Sequence, residues 1–473
     1  MFSINLVFVE LVFRKGGFKL SNEQDEKSLE EFGYKQELKR ALTFKDLLFY
    51  GMIFMVPIAP MGIYGYVVDV SNGMAPLAYI IGIIAMIFTA LSYARMSSAF
   101  PMAGSVYSYA SRGINPYVGF IAGWSLLLDY ILTPALVYLV AGYALQEILP
   151  ILPFWGWIAV FVIINTVVNF RGIELTAKTN IGLLIFELFV LVAFVVLAFV
   201  AVLKGAGQGA FTMDPIWKPE GFNLDMVMAA TSLAVLSFLG FDAISTLSEE
   251  AKEPQKIVGR ATVTALILVG GLFVLQTYLA GLLIPDHTMF QNPDTAFYEV
   301  AQIAGGNWLR ILVALGTAVA WGIGDGLVCQ AAISRLLYSM SRDKMMPAFL
   351  GKIHPKYQTP YMSTLFVAVL SIAIGALLSL DLLTSMVNFG ALTAFMFLHV
   401  SVVNHYVIRG KQRDLASLFK FLLLPVVGFI IIFYVWMSLQ NEAKVVGFSW
   451  LAIGLVYTAY KTKFFKEKPP AFK

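Results

Sequence analysis

Four carboxylic acids stand within apolar runs long enough to cross a bilayer: Asp129, Glu187, Asp242 and Asp325. A charge at the bilayer centre costs roughly 2.5–3.5 kcal/mol on insertion scales, so such residues mark ion paths, substrate paths or proton relays by default. A carboxyl group withdrawn from water can pair with an amine, assist a sodium ion or carry a proton. Glu187 and Asp325 are the hardest to explain as scaffold, because apolar residues surround both. Gly324 and Gly326 flank Asp325 and let other helices come close to it. Asp129 precedes Tyr130 and equally fits a simple bond to a neighbouring helix.

Asp242 ends the stretch Ser237-Phe-Leu-Gly-Phe-Asp242, which interrupts an otherwise ordinary apolar helix. Gly240 weakens that helix by roughly 1 kcal/mol. An abrupt return to acidic sequence, Ser245 to Glu250, follows directly. The stretch reads as a broken helix lining a cavity, with Asp242 capping the second half. A second interruption lies upstream, where Pro57, Pro60, Gly62 and Gly65 fall within one apolar run. Each proline lacks an N–H and clashes with the preceding turn. Unwinding there frees backbone groups that can meet a ligand, although a purely structural kink fits the same residues.

These residues need helices to hold them. Hydrophobic residues make up 59% of the 473 and charged residues 13%, against about 25% charged in soluble domains. Apolar stretches of about 20 residues recur along the chain, which predicts an all-α, polytopic membrane protein. Twelve spans are expected, near residues 47–70, 77–100, 118–149, 155–169, 181–203, 226–247, 261–284, 309–340, 364–380, 382–407, 419–439 and 446–460. Arg95, Arg112, Lys252, Lys256, Arg260, Arg335, Lys352 and Arg409 then fall in inner loops, and few basic residues fall outside. That asymmetry predicts both termini in the cytoplasm and the chain in the cytoplasmic membrane.

The two broken spans lie five spans apart and so run in opposite directions, which points to an inverted-repeat transporter. The expected organisation is a tail over 1–45, a core over 46–408 and two further helices over 409–460. The core divides into halves at 46–203 and 224–408, and a second tail covers 461–473. Ile4–Phe13 is apolar but too short to span.

Several function classes are excluded or disfavoured. No phosphate-binding loop of the G-x-x-x-x-G-K-[ST] type occurs, which argues against ATP-driven transport. No Ser-His or zinc-helix signature marks an enzyme. A single cysteine, Cys329, and four histidines without ligand spacing give no metal site. The net charge of +4 suits cytoplasmic loops and does not suggest nucleic acid binding. No cofactor is expected.

The sequence resembles the amino acid–polyamine–organocation transporter superfamily over nearly all of the chain after about Lys39. Phe100-Pro-Met-Ala-Gly-Ser-Val-Tyr107-Ser-Tyr109, Gly123 to Tyr130, Ser237 to Glu250, Ser334 to Tyr338 with Arg342-Asp343, and Asn388-Phe-Gly-Ala391 carry the resemblance. These segments look most like bacterial putrescine importers. The resemblance implies a five-plus-five inverted repeat, an occluded site between spans 1, 3, 6 and 8, and alternating access driven by an ion gradient or by exchange. The expected substrate contacts are Ile58, Ala59, Met61, Gly62, Tyr107, Phe238, Gly240, Phe241 and Asp325. Glu187 and Asp129 are the expected ion-coupling residues, with a proton or sodium ion as partner, and Asp242 the structural cap.

The chain departs from those relatives. The importers carry an aspartate near Gly62 that is missing here, and a small polar residue near the position of Asp325. The carboxylate has in effect moved across to span 8. Proton-coupled amino acid carriers place a lysine near Glu187, so the sign is reversed here. The expected function is import of an amino acid or polyamine, proton-coupled. Amino acid exchange, or a non-transporting sensor with the same fold, stands as the alternative.

Overall fold

The computed structural model describes residues 40–464 and 466, apart from 103, 172, 343–345 and 358. The expected tails, apart from their edges, and Asp343 of the inner motif lie outside the described residues. Helices dominate, and no strand forms among the described residues; an isolated bridge joins Leu42 to Ala251. The helices are α1 (Phe44–Met55), α2 (Pro60–Val70), α3 (Ala75–Ala99), α4 (Ser105–Gly113), α5 (Pro116–Ile148), α6 (Phe154–Arg171) and α7 (Ile173–Leu203). They continue as α8 (Leu224–Ala234), α9 (Pro254–Leu283), α10 (Ala296–Gly305), α11 (Asn307–Val319), α12 (Gly326–Arg342) and α13 (Tyr361–Leu377). The last are α14 (Leu380–Val402), α15 (Leu415–Leu418), α16 (Leu424–Met437) and α17 (Asn441–Lys461).

Ten helical stretches among the described residues are long and apolar enough to cross a membrane. The pair α1–α2 qualifies jointly and bends by 56° at its break; α13 is apolar with 17 residues. The chain is therefore a multi-pass membrane protein. Its lipid face is legible on α7, where Ile181, Ile185, Phe189, Val192, Val196 and Phe199 are exposed at helical spacing.

Local chemistry sets the helix starts. Asn115 accepts the N–H groups of Tyr117 and Val118 at 3.0 Å each, and Pro116 occupies the first turn of α5. Asn223 caps α8 in the same way through Asp225 and Met226.

Two groups of helices result. In the first, α9 packs along α3 and against α1 and residues 241–250, while α8 meets α2 and α3. In the second, α5 runs through the centre and touches α4, α6, α11, α12, α13 and α14. Helix α17 is pinned to α5 by Trp124 and Trp450, which stack at 4.7 Å. Each of the two donates its indole N–H to the other's backbone carbonyl at 2.8 Å.

Candidate functional site

The two interruptions expected from sequence meet near the middle of the molecule. At the first, Val56 adopts φ 48°, a left-handed conformation unusual for a β-branched residue. Val56, Ala59, Met61 and Gly62 donate their N–H groups to Ile53, Val56, Ile58 and Ala59. Pro57 and Pro60 have none to give. Gln276 on α9 reaches across and donates to the carbonyl of Pro57 at 3.0 Å.

At the second, the helix tightens into 3-10 turns over Val235–Phe238, breaks at Leu239 and Gly240, and resumes as 3-10 turns over Phe241–Glu250. The sequence predicts a broken helix here within a span near 226–247; the half after the break is 3-10 in form. Gly240 takes φ 107°, and a Cβ there would lie 2.4 Å from the Phe54 ring and 2.9 Å from its backbone. Glycine is thus required by conformation and by close approach. Asp242 accepts the Gly240 N–H at 3.2 Å.

Between the breaks lies a cavity of about 50 Å³, room for a few water molecules. Phe54, Met55, Val56 and Ala59 form one wall. Asp129, Tyr130, Thr133, Leu136 and Val137 of α5 form another. Leu236, Ser237, Leu239, Gly240 and Asp242 come from the second break, and Trp321, Asp325 and Cys329 complete the lining. Asp325 closes a π-helical turn, Ala320–Asp325, that joins α11 to α12.

Three carboxylates therefore share one small space, and no Lys, Arg or His lines it among the described residues. All three are at least nine-tenths buried. Each has local partners: Thr133 Oγ1 donates to Asp129 at 2.9 Å and Cys329 Sγ to Asp325 at 3.1 Å, while the Gly240 N–H, the Ala243 N–H and the Tyr93 hydroxyl turn to Asp242. The indole N–H of Trp321 is buried without an acceptor among the described residues. This arrangement supplies three carboxyl groups as acceptors, with an aliphatic wall of Leu136, Val137, Leu236 and Leu239.

Of the residues singled out from sequence, Ala59, Gly240, Asp325, Asp129 and Asp242 come together here. Ile58, Met61 and Gly62 are buried beside the first break and do not line the cavity, Gly62 being packed against Val140 and Trp321. Phe238 and Phe241 turn away from it. Phe238 packs against Tyr79 and Phe273, with ring centroids at 6.0 and 5.2 Å. Phe241 packs against Tyr93 and Phe395. Two residues that share the break thus pack against different neighbours and neither lines the cavity, because the 3-10 turns and Gly240 rotate their side chains off its wall. Tyr107 lies on α4 against Gly123, also off the lining.

Glu187 stands behind the cavity. It is 2% exposed, its Oε2 has no partner among the described residues, and a Cβ on Gly324 would lie 3.6 Å from its Oε1. Gly324 therefore separates Glu187 from the side of the π turn that carries Asp325. Thr133 and Cys329 had not been singled out as site residues from sequence. Their signal is the i, i+4 spacing from Asp129 and Asp325, which puts them on the same helix faces.

One end of the path past α2 is closed. Tyr66 donates to Asp294 at 2.6 Å, and Tyr64 meets Phe290 and Phe297 edge-on. Gly65 abuts the backbone of Pro293 so closely that a Cβ would lie 2.1 Å from its carbonyl oxygen. At the other end, Ala41 and Leu42 donate their N–H groups to Glu250 at 2.9 Å, and Lys252 to Leu42 at 3.0 Å. The segment before the first broken helix is thereby tied to the end of the second.

Paired broken helices around a buried polar cavity define a membrane permease. The family described as amino acid permease matches residues 47–459, and the chain belongs to it, within the amino acid–polyamine–organocation superfamily. Among its relatives is the low-affinity putrescine importer PlaP of Escherichia coli K12, 32% identical over 440 residues that cover 92% of this chain and 97% of PlaP. The branched-chain amino acid permease BcaP of Bacillus subtilis is 30% identical, covering 91% and 94% of the two chains. A methylthioribose transporter of Bacillus subtilis is 26% identical, covering 90% and 95%. The family and these relatives are transporters rather than enzymes.

Proposed function

We propose that the chain is a secondary importer of an organic amine cation of the polyamine class, working by alternating access in the cytoplasmic membrane. The observation that carries this is the convergence of Asp129, Asp242 and Asp325 on one cavity whose lining has no basic side chain. An amino acid also needs a partner for its carboxylate. In half-helix sites that partner is the free N–H groups of a broken helix. At the first break, Val56, Ala59, Met61 and Gly62 already use theirs and the prolines have none, which leaves the Ile58 N–H alone among the described residues there. A diamine needs only acceptors for its ends and an apolar wall for its methylene chain.

In this proposal Asp325 receives the amine and Ala59 and Gly240 border it. Asp242 holds the second break together. Glu187 and Asp129 handle the coupling proton, Glu187 from behind the π turn. The chain crosses the membrane twelve times with both termini in the cytoplasm. Residues 46–203 and 224–408 form the inverted halves, 409–460 add two helices, and no cofactor takes part.

Cys329 is the sole cysteine of the chain and lines the cavity, so it reports occupancy directly. Putrescine is expected to slow its alkylation by a small maleimide in proteoliposomes, whereas leucine is expected to leave the rate unchanged. Protection by leucine alone would transfer the site to the amino acid class, which the aliphatic wall and the branched-chain relatives favour. Asp325→Asn is expected to raise the putrescine KM ten- to a hundredfold, equivalent to about 1.4–2.8 kcal/mol. Glu187→Gln is expected to abolish gradient-driven accumulation while counterflow from preloaded vesicles persists. Unchanged pH-dependent accumulation in that variant removes Glu187 from coupling.

A further inference from the structure

We propose that Asn165 on α6, acting with Tyr138 on α5, is a positioning residue for Asp325: from outside the cavity the pair holds the π turn that aims this carboxylate at the substrate. The proposal rests on the cavity being the amine site.

A π turn interrupts the regular i to i−4 ladder and frequently marks a functional site. It leaves buried carbonyls that need donors from elsewhere. The donors here come from the two helices packed behind the turn. Asn165 Nδ2 donates to the carbonyl of Gly322 at 2.6 Å and to the Tyr138 hydroxyl at 3.1 Å. Tyr138 in turn donates to the carbonyl of Gly326 at 3.2 Å. The two bonds bracket Asp325 from both sides in sequence.

The glycines of Gly322-Ile-Gly-Asp-Gly326 make this contact possible. A Cβ on Gly326 would lie 2.6 Å from Asn165 Nδ2, and one on Gly322 would lie 2.6 Å from the Phe161 ring. At 3.6 residues per turn, one residue of register corresponds to roughly 100° of rotation. If the turn relaxed into regular helix, Asp325 would rotate off the cavity and a glycine would take its place.

Asn165 is fully buried, and its Oδ1 has no partner among the described residues. An apolar residue of similar size would avoid that orphaned acceptor, since an unsatisfied buried polar atom is destabilising. What asparagine adds is the N–H donor aimed at the turn. Neither Asn165 nor Tyr138 lines the cavity, so an effect on substrate recognition has to pass through Asp325.

The test uses the full chain in proteoliposomes, with putrescine as substrate and alkylation of Cys329 as a second readout. The Cys329 thiol donates to Asp325, so its reactivity follows the carboxylate. Asn165→Leu is expected to raise the putrescine KM at least tenfold with Vmax within twofold; it also strands the Gly322 carbonyl and is therefore expected to lower the unfolding midpoint. Its amine-free alkylation rate is expected to change at least threefold. Tyr138→Phe is expected to move both quantities in the same direction by less. An unchanged KM and thiol rate in Asn165→Leu overturn the proposal; if that variant does not fold, unchanged values in Tyr138→Phe do so. Failure of putrescine to protect wild-type Cys329 counts against the amine site itself. A shifted thiol rate in Asn165→Leu still supports the positioning role in that case.

Discussion

The two helix breaks are chemical opposites. The first is made by prolines, which delete donors, and it leaves a carbonyl in need of one: Gln276 supplies it to Pro57. The second is made by glycine, which permits a left-handed turn, and it leaves an N–H in need of an acceptor: Asp242 supplies it to Gly240. Strain is divided in the same way. Val56 bears an unfavourable left-handed conformation in the first break, while Gly240 adopts one in the second without steric cost. A single cavity is thus bordered by a donor-poor break and by a break whose acceptor is a carboxylate. Both features favour a cation, which is why the comparison bears on substrate class as well as on fold.

The sharpest way to break the comparison is at Gly240. Gly240→Ala would force a Cβ into the backbone of Phe54 and place an L-residue at φ 107°. Left-handed conformation alone costs roughly 1–2 kcal/mol, and rigid backbone cannot yield as a side chain can. Transport is expected to fall at least tenfold and the unfolding midpoint to drop. Gly271, in α9, has open space where a Cβ would go. Gly271→Ala is expected to leave transport intact and stabilise the helix by about 0.5–1 kcal/mol. Equal effects of the two substitutions, measured by thermal unfolding in detergent and by uptake, would falsify the special status of the second break.

Gln276 offers the matching test of the first break. Gln276→Leu preserves volume but strands the Pro57 carbonyl, a loss of about 1–3 kcal/mol. Gln276→Glu removes the donor and brings a like charge toward the three carboxylates, so it is expected to be worse than leucine. If both variants unfold at the wild-type temperature, the carbonyl finds another donor and the contrast between the breaks weakens.

Much of this was legible in the sequence, and the reason is lipid. The bilayer excludes charge and broken backbone unless something compensates, so Asp129, Glu187, Asp242 and Asp325, and both breaks, stood out from composition alone. What periodicity could not supply was side-chain direction within the breaks. Phe238 and Phe241 lie beside Gly240 in sequence, yet Gly82 and Gly270 make room for Phe238 on the far side. A left-handed residue and 3-10 turns abolish the 3.6-residue rule that would have oriented them. The π turn at Asp325 was invisible for a related reason: its determinants, Asn165 and Tyr138, lie about 160 and 190 residues away in sequence and act through backbone carbonyls. Its only local trace is the run of alternating glycines.

The smallest expected effect concerns the closed end, where α2 meets the loop before α10. Burial holds the Asp294 carboxyl above the ordinary carboxylate range; the Tyr66 hydroxyl opposes that shift, and the charge of Asp381 adds to it. Opening this end would hydrate Asp294 and return it toward its usual value. The closed form therefore binds the proton more tightly than the open form. Its advantage is full below the ordinary carboxylate range and is lost as pH rises through the raised value. Hydrogen exchange of residues 290–298, corrected for intrinsic rates, is accordingly expected to be two- to threefold slower at pH 5 than at pH 7. Asp294→Asn is expected to flatten that dependence while keeping an acceptor for Tyr66. A wild-type profile as flat as that of Asp294→Asn would mean that Asp294 stays equally buried when this end opens, and the closure would then have to be sought in the aromatic contacts of Tyr64 instead.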